Sequence, residues 1–106
     1  MISIVDININ NSYLLKQFLN NTLPNTFRYY TKRTVDVINN HFITILLLYK
    51  SIPIGYAHID YENNKYWFGI CILDNYHGKG YGKKIMEYIF NNNKIIIKII
   101  IYYFTN

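Results

Sequence analysis

The sequence is poor in the residues that cross-link small folds or punctuate them. A single cysteine, Cys71, excludes an internal disulfide and any cysteine-built metal centre, and it fits a reducing compartment. The cytoplasm is therefore the expected location. There are only two prolines and five glycines, and three of those glycines fall between positions 78 and 82. Acidic residues number six against eleven Lys and Arg, a formal charge of +5. That balance suits an anionic partner, whether nucleic acid, phosphorylated cofactor or acidic surface, without choosing among them. Long apolar runs are missing too. The longest, 95–104, is interrupted by Lys98 and falls short of the ~20 residues a membrane helix needs. The N-terminus has no basic region ahead of an apolar one, so it reads as a strand and not as a signal peptide.

What the chain has in abundance is apolar and aromatic surface, at 51% and 18% of its 106 residues. That is enough to bury one core and too much for a disordered chain, and the length leaves no room for a second domain. A single domain over 1–106 is expected. Ile, Asn and Tyr occur 20, 15 and 12 times. With such a bias, no single Asn or Tyr carries much information.

Alternation at Ile2, Ile4, Ile7 and Ile9 predicts a first strand, followed by a turn at Asn10-Asn11-Ser12 and a helix over 13–20. Thr22-Leu23-Pro24-Asn25 breaks the chain. An aromatic and basic patch follows, with Arg28, Tyr29, Tyr30, Lys32 and Arg33, and then a short helix over 34–40. Residues 42–49, 54–60 and 65–73 read as three consecutive strands joined by short turns, an antiparallel meander. The pattern then changes. A glycine-rich loop over 74–82 leads into a helix over 83–90, and a last strand is expected over 94–104. Strand, loop, helix and strand would make one right-handed parallel βαβ unit. There is no internal repeat and no linker.

The segment His77-Gly78-Lys79-Gly80-Tyr81-Gly82-Lys83-Lys84 stands between a strand and a helix. Glycines let peptide N–H groups turn inward unobstructed, and a helix start adds unpaired donors and a positive dipole end, so an anion is favoured there. A Walker loop is excluded, because Lys83 is followed by Lys84 and no hydroxyl is placed for magnesium. The dinucleotide fingerprint is disfavoured as well, since its third glycine would fall on Lys83.

The segment resembles the pyrophosphate loop of the GNAT acetyltransferase superfamily, Arg/Gln-x-x-Gly-x-Gly/Ala after a fourth strand. The likeness continues through Pro53-Ile54-Gly55-Tyr56-Ala57-His58, Trp67-Phe68-Gly69-Ile70-Cys71-Ile72-Leu73 and Lys83-Lys84-Ile85-Met86-Glu87. The order of elements resembles that family's first five strands and three helices. The implied fold is α+β, a mostly antiparallel sheet with one parallel βαβ unit, lacking the usual final helix and strands. The chain departs from the family at His77, where Arg or Gln is usual, and in ending after the fifth strand.

The resemblance implies acetyl-CoA as cosubstrate, held in a wedge between the fourth and fifth strands. Main-chain groups of Cys71, Ile72 and Leu73 would pair with the pantetheine arm. His77, Gly78, Lys79, Gly80, Tyr81, Gly82 and Lys83 would hold the pyrophosphate. Transfer to an amine also needs a base. His58 and Asp60, two apart on a strand and hence on one face, are the first and second candidates, with Glu62 in the turn beyond. Tyr102 and Tyr103 are candidates for the acid that protonates the departing thiolate. No metal is implied.

Three functions follow from these readings. The first is N-acetyl transfer to a small amine or amino sugar, the second an acyl-CoA-binding relic without turnover, and the third a basic nucleic-acid binder using Arg28 to Arg33. An Ile-rich last strand without its usual neighbours would pair with another chain. Homodimerisation or poor solubility is thus expected, and a clean monomer at high concentration in analytical ultracentrifugation would contradict it.

Overall fold

Antiparallel pairing organises the residues described here, 1–22 and 35–92 of a computed structural model. Strand β1 (Ile2–Asp6) leads to helix α1 (Ser12–Asn20), and a 3-10 stretch (Val35–Asn40) leads into β2 (His41–Tyr49). Strands β3 (Ile52–Glu62) and β4 (Lys65–Ile72) follow, then a single 3-10 turn (Asp74–Tyr76) and helix α2 (Tyr81–Asn92). The four strands form one sheet in the order β1-β2-β3-β4, every neighbouring pair antiparallel. The strand expected over 94–104, the parallel crossover that depends on it, the patch from Arg28 to Arg33, and Tyr102 and Tyr103 lie outside the described residues.

Both hairpins close through two residues with positive φ, Lys50 and Ser51 (49° and 68°) and Asn63 and Asn64 (55° and 63°). This left-handed turn matches the twist of the flanking strands, and Asn tolerates it best among residues with a side chain. The first strand is shorter than its alternation predicts. Asn11 Oδ1 accepts from Asn8 N, Asn8 Oδ1 accepts from Asn10 N, and Asn11 Nδ2 donates to the Asp6 carbonyl. These local bonds draw the backbone into a turn before the strand can reach Ile9, which is left exposed. The short helix expected over 34–40 is a 3-10 stretch from Val35 to Asn40.

The sheet buries both of its faces. On one, Ile45, Leu47, Ala57 and Ile59 meet Ile85 and Ile89 of α2; on the other, Leu46, Leu48 and Tyr56 meet Leu15 and Phe18 of α1. A strand covered on both sides has no solvent face to keep polar, and so Ile45-Leu46-Leu47-Leu48 is continuously apolar. Phe18 stands edge-on to Tyr56 with ring centroids 5.7 Å apart, anchoring α1 over β3.

The far part of α2 is tied to β1 by the Tyr88 hydroxyl, which donates to both Asp6 carboxylate oxygens at 3.3 Å. Burial, the Asp6 charge and this hydrogen bond, in that order, raise the Tyr88 phenol above its ordinary value of 10.0. The folded chain therefore keeps that proton to higher pH than the unfolded chain does. The resulting stability is complete below about pH 10 and is lost as pH rises through the folded value. Replacing Tyr88 with Phe should flatten this alkaline loss, read as a smaller change in the urea midpoint between neutral pH and pH above about 10.

Candidate acyl-CoA loop and histidine cluster

The glycine loop runs from the end of β4 to the start of α2. Gly78 and Gly80 both have positive φ, 75° and 81°, and a Cβ placed on either would meet nothing within 4 Å. The backbone here is bent as only glycine adopts readily, and the space before it is open. Lys84 N donates to Gly80 O at 3.2 Å. The N–H groups of Tyr81, Gly82 and Lys83 precede that first helical bond, so they have no carbonyl of α2 to meet. No acidic residue lies in the first turn of α2, whereas Lys83 and Lys84 are there and exposed. Cations at the positive end of a helix dipole oppose it, and a bound anion would relieve that opposition. Lys79 is exposed beside them.

The side chain of His77 turns back to the strand. Its Nε2 donates to the Ile72 carbonyl at 2.6 Å and lies 3.8 Å from Asp74 Oδ1, which ties the base of the loop to β4. The three β4 residues singled out in the sequence divide by register. Leu73 N donates to Ile54 O, and Cys71 stands opposite Tyr56. With the alternation of an antiparallel ladder, the peptide groups of Cys71 and Leu73 face β3, while those of Ile72 and Ile70 face the outer edge of β4. Ile72 is thus the member of the three whose peptide groups are directed away from β3.

His58 and Asp60 come together on the α1 face of β3. His58 Nδ1 lies 2.9 Å from Asp60 Oδ1, and the residue is buried, with 8% of its surface exposed. A carboxylate only accepts, so Nδ1 carries the hydrogen and Nε2 keeps the lone pair. That nitrogen lies over Gly69 of β4, the residue paired with His58: a Cβ on Gly69 would collide with Nε2 and come within 2.9 and 3.0 Å of Cε1 and Cδ2. The side chain of Glu62 is not described.

His41 joins this pair, although sequence reasoning did not single it out. In β2 the odd-numbered Ile43, Ile45 and Leu47 pack toward α2, and strict alternation would send His41 with them. The register slips between His41 and Ile43, where His41 pairs with Asp60 and Ile43 with Ile59. Phe42 is therefore an extra residue, and the bulge turns His41 to the α1 face. There His41 stacks on His58 at 4.4 Å and 10°, its Nδ1 lies 2.8 Å from Thr44 Oγ1, and its Nε2 lies 3.5 Å from Asp60 Oδ1. Two histidines near the ends of predicted strands were the available signal, but a bulge leaves no mark in the alternation.

The sheet, the two helices and the loop define the N-acetyltransferase fold. A Streptococcus pneumoniae acetyltransferase of the GNAT family superimposes with a TM-score of 0.67 at 19% identity, over 86% of this chain and 66% of that one. A Staphylococcus aureus protein of unknown function described as a probable acetyltransferase gives 0.62 at 20%, over 91% and 71%. A GNAT family acetyltransferase from Brucella melitensis, solved in complex with acetyl-CoA, gives 0.61 at 12%, over 81% and 64%. No curated protein matches the chain in sequence. The chain spans about two thirds of the length of these structures.

The acetyltransferase (GNAT) family model matches residues 11–92, and the chain belongs to that family. Among the described residues, no helix is long and apolar enough to cross a membrane. Because the His58 ring occupies the space a Cβ would need, Gly69→Ala should displace it. The expected cost is about 1–3 kcal/mol of stability, measured by urea unfolding. The change should also broaden or shift the His58 ring signals in NMR spectra.

Proposed function

We propose that this chain binds acetyl-CoA on the loop from Gly78 to Gly82 and along the outer edge of β4, and transfers the acetyl group to the primary amine of a small molecule or amino sugar. The observation that carries this reading is the open, left-handed backbone at Gly78 and Gly80 in front of the acid-free start of α2. Family membership supports the same ligand, as does the acetyl-CoA bound by the Brucella relative. The diphosphate would be held by peptide N–H groups of Gly78, Lys79, Gly80, Tyr81, Gly82 and Lys83, with the Lys79 and Lys83 ammonium groups adding long-range attraction. The outward peptide groups of Ile70 and the N–H of Ile72, whose carbonyl His77 already engages, would pair with the amide-bearing arm, and a strand N–H would stabilise the oxyanion as it forms.

Acetyl-CoA supplies the acyl group as a thioester. The protein's part is to hold it and to bring the amine to the nucleophilic, neutral form. His58 Nε2 carries the lone pair that takes the proton, and Asp60 holds the ring in that tautomer through Nδ1, the logic of any base oriented by a carboxylate. The position of His58 supports this assignment, since its Nε2 lies over Gly69 of β4, the strand whose outer edge would carry the arm of acetyl-CoA.

Thermal melting with acetyl-CoA, desulfo-CoA and ATP tests the binding half. Both CoA compounds should raise the melting temperature, by the equivalent of about 2.7 kcal/mol at a hundredfold excess over Kd, and ATP should not. Gly80→Val should abolish the shift. Thiol release with a panel of small amines and amino sugars tests the chemistry. His58→Gln should keep the acetyl-CoA shift while lowering kcat by about 10²–10⁴-fold. Equal stabilisation by ATP would reduce the loop to a general phosphate site. Stabilisation without thiol release from any amine would make the chain an acyl-CoA-binding module.

A further inference from the structure

The two imidazoles and the carboxylate on the α1 face form a donor set in their own right, whatever group is transferred. Asp60 Oδ1 lies 2.9 Å from His58 Nδ1 and 3.5 Å from His41 Nε2, and the three donor atoms all fall within 4.8 Å of one another. Around a tetrahedral zinc ion with bonds of about 2.0–2.1 Å, neighbouring donors stand roughly 3.3–3.4 Å apart. The two observed separations bracket that spacing. The imidazoles are nearly enclosed, with 3% and 10% of their side chains exposed, while Asp60 keeps 27%. The carboxylate is thus the side from which an ion and completing water molecules can arrive.

The surroundings of His41 favour the same reading. Thr44 Oγ1, at 2.8 Å from Nδ1, holds the nitrogen that does not face Asp60, a contact that orients the ring as outer partners orient a metal-binding imidazole. The other ring nitrogen, Nε2, faces Asp60 Oδ1. At 3.5 Å that separation exceeds an ordinary N–H···O bond, and the Tyr56 hydroxyl stands 3.4 Å from the same nitrogen. The rings themselves are stacked, and a metal binds in the plane of each ring, so loading requires one ring to tilt about its soft χ2 torsion.

We propose that His41, His58 and Asp60 bind one divalent transition-metal ion of the zinc, cobalt and nickel class, which a set of two imidazoles and one carboxylate suits, with water completing the coordination. The site does not depend on acyl transfer. One consequence does rest on that reading: coordination uses the lone pair of His58 Nδ1, so the ring hydrogen moves to Nε2, the atom assigned to take the amine proton. The loaded protein would then lack its base.

Titration of the full chain with Co2+, followed by visible absorption, reads the site directly. One equivalent should bind with the intense d–d bands of a four- or five-coordinate ion, and Zn2+ should displace it and raise the melting temperature. His41→Asn and Asp60→Asn, checked for native circular dichroism, should each weaken binding at least about tenfold. His77→Asn, which alters the exposed pair with Asp74, should leave the affinity unchanged. Lack of saturable cobalt binding by the wild-type chain, or wild-type affinity in both cluster variants, would overturn the proposal. Loss of thiol release on adding zinc, restored by a chelator, reads the consequence separately. Tight cobalt binding with no such loss would reject only the link to the base.

Discussion

Pairing β2 with β3 places two strands in the middle of the sheet, with one neighbour on each side and a helix over each face. A shift of either strand by one residue would exchange the side chains packed against α1 with those packed against α2 and undo both fits. Their register therefore determines where every side chain near the sheet points. Helices α1 and α2 are placed by the two apolar faces this register creates. The loop before α2 then falls at the end of β4, because that helix must return to cover Leu47, Ala57 and Ile59.

The same constraint explains why polar chemistry gathers on one side. Tyr56, His58 and Asp60 share the α1 face of β3, and as the strand runs outward from Phe18 the packing changes from apolar to polar. A buried imidazole is costly unless its nitrogens are satisfied, and Asp60 satisfies one. Gly69 supplies the room on β4, and the Phe42 bulge brings in the second ring. Three departures from a regular sheet, a glycine, a bulge and a buried imidazole paired with a partly exposed carboxylate, meet within one patch. Such departures commonly concentrate where function needs them.

The loop and the cluster use different physics. At the loop, the proposed attraction for an anion would come from peptide groups and a helix end and would involve few side chains. His77 shows how side chains can be reassigned around such a frame, since it secures the loop to Ile72 instead of reaching into the mouth. At the cluster, identity and distance of individual atoms matter. The proposed proton transfer needs the His58 hydrogen on Nδ1 and the proposed metal site needs it on Nε2, so one neutral ring could not serve both at once.

Much of this was legible in the chain itself. Period-two alternation, short turns and a change to helical spacing after Gly82 are local signals, so the meander, both helices and the glycine loop could be read in order, and the loop pointed to the family. The pairing of His58 with Asp60 followed from their spacing of two along one strand. The end of β1 at Asp6 did not, because the side-chain bonds of Asn8 and Asn11 compete with the strand in a way composition does not reveal. Nor did His41, whose place depends on an extra residue in β2 whose effect is visible only against the partner strand. Nor did the division of labour along β4, where the ladder sends Cys71 and Leu73 inward and Ile72 outward. Sequence determines what each segment tends to be, since those tendencies are local; tertiary structure decides which atoms meet, since register and bulges are properties of two strands at once.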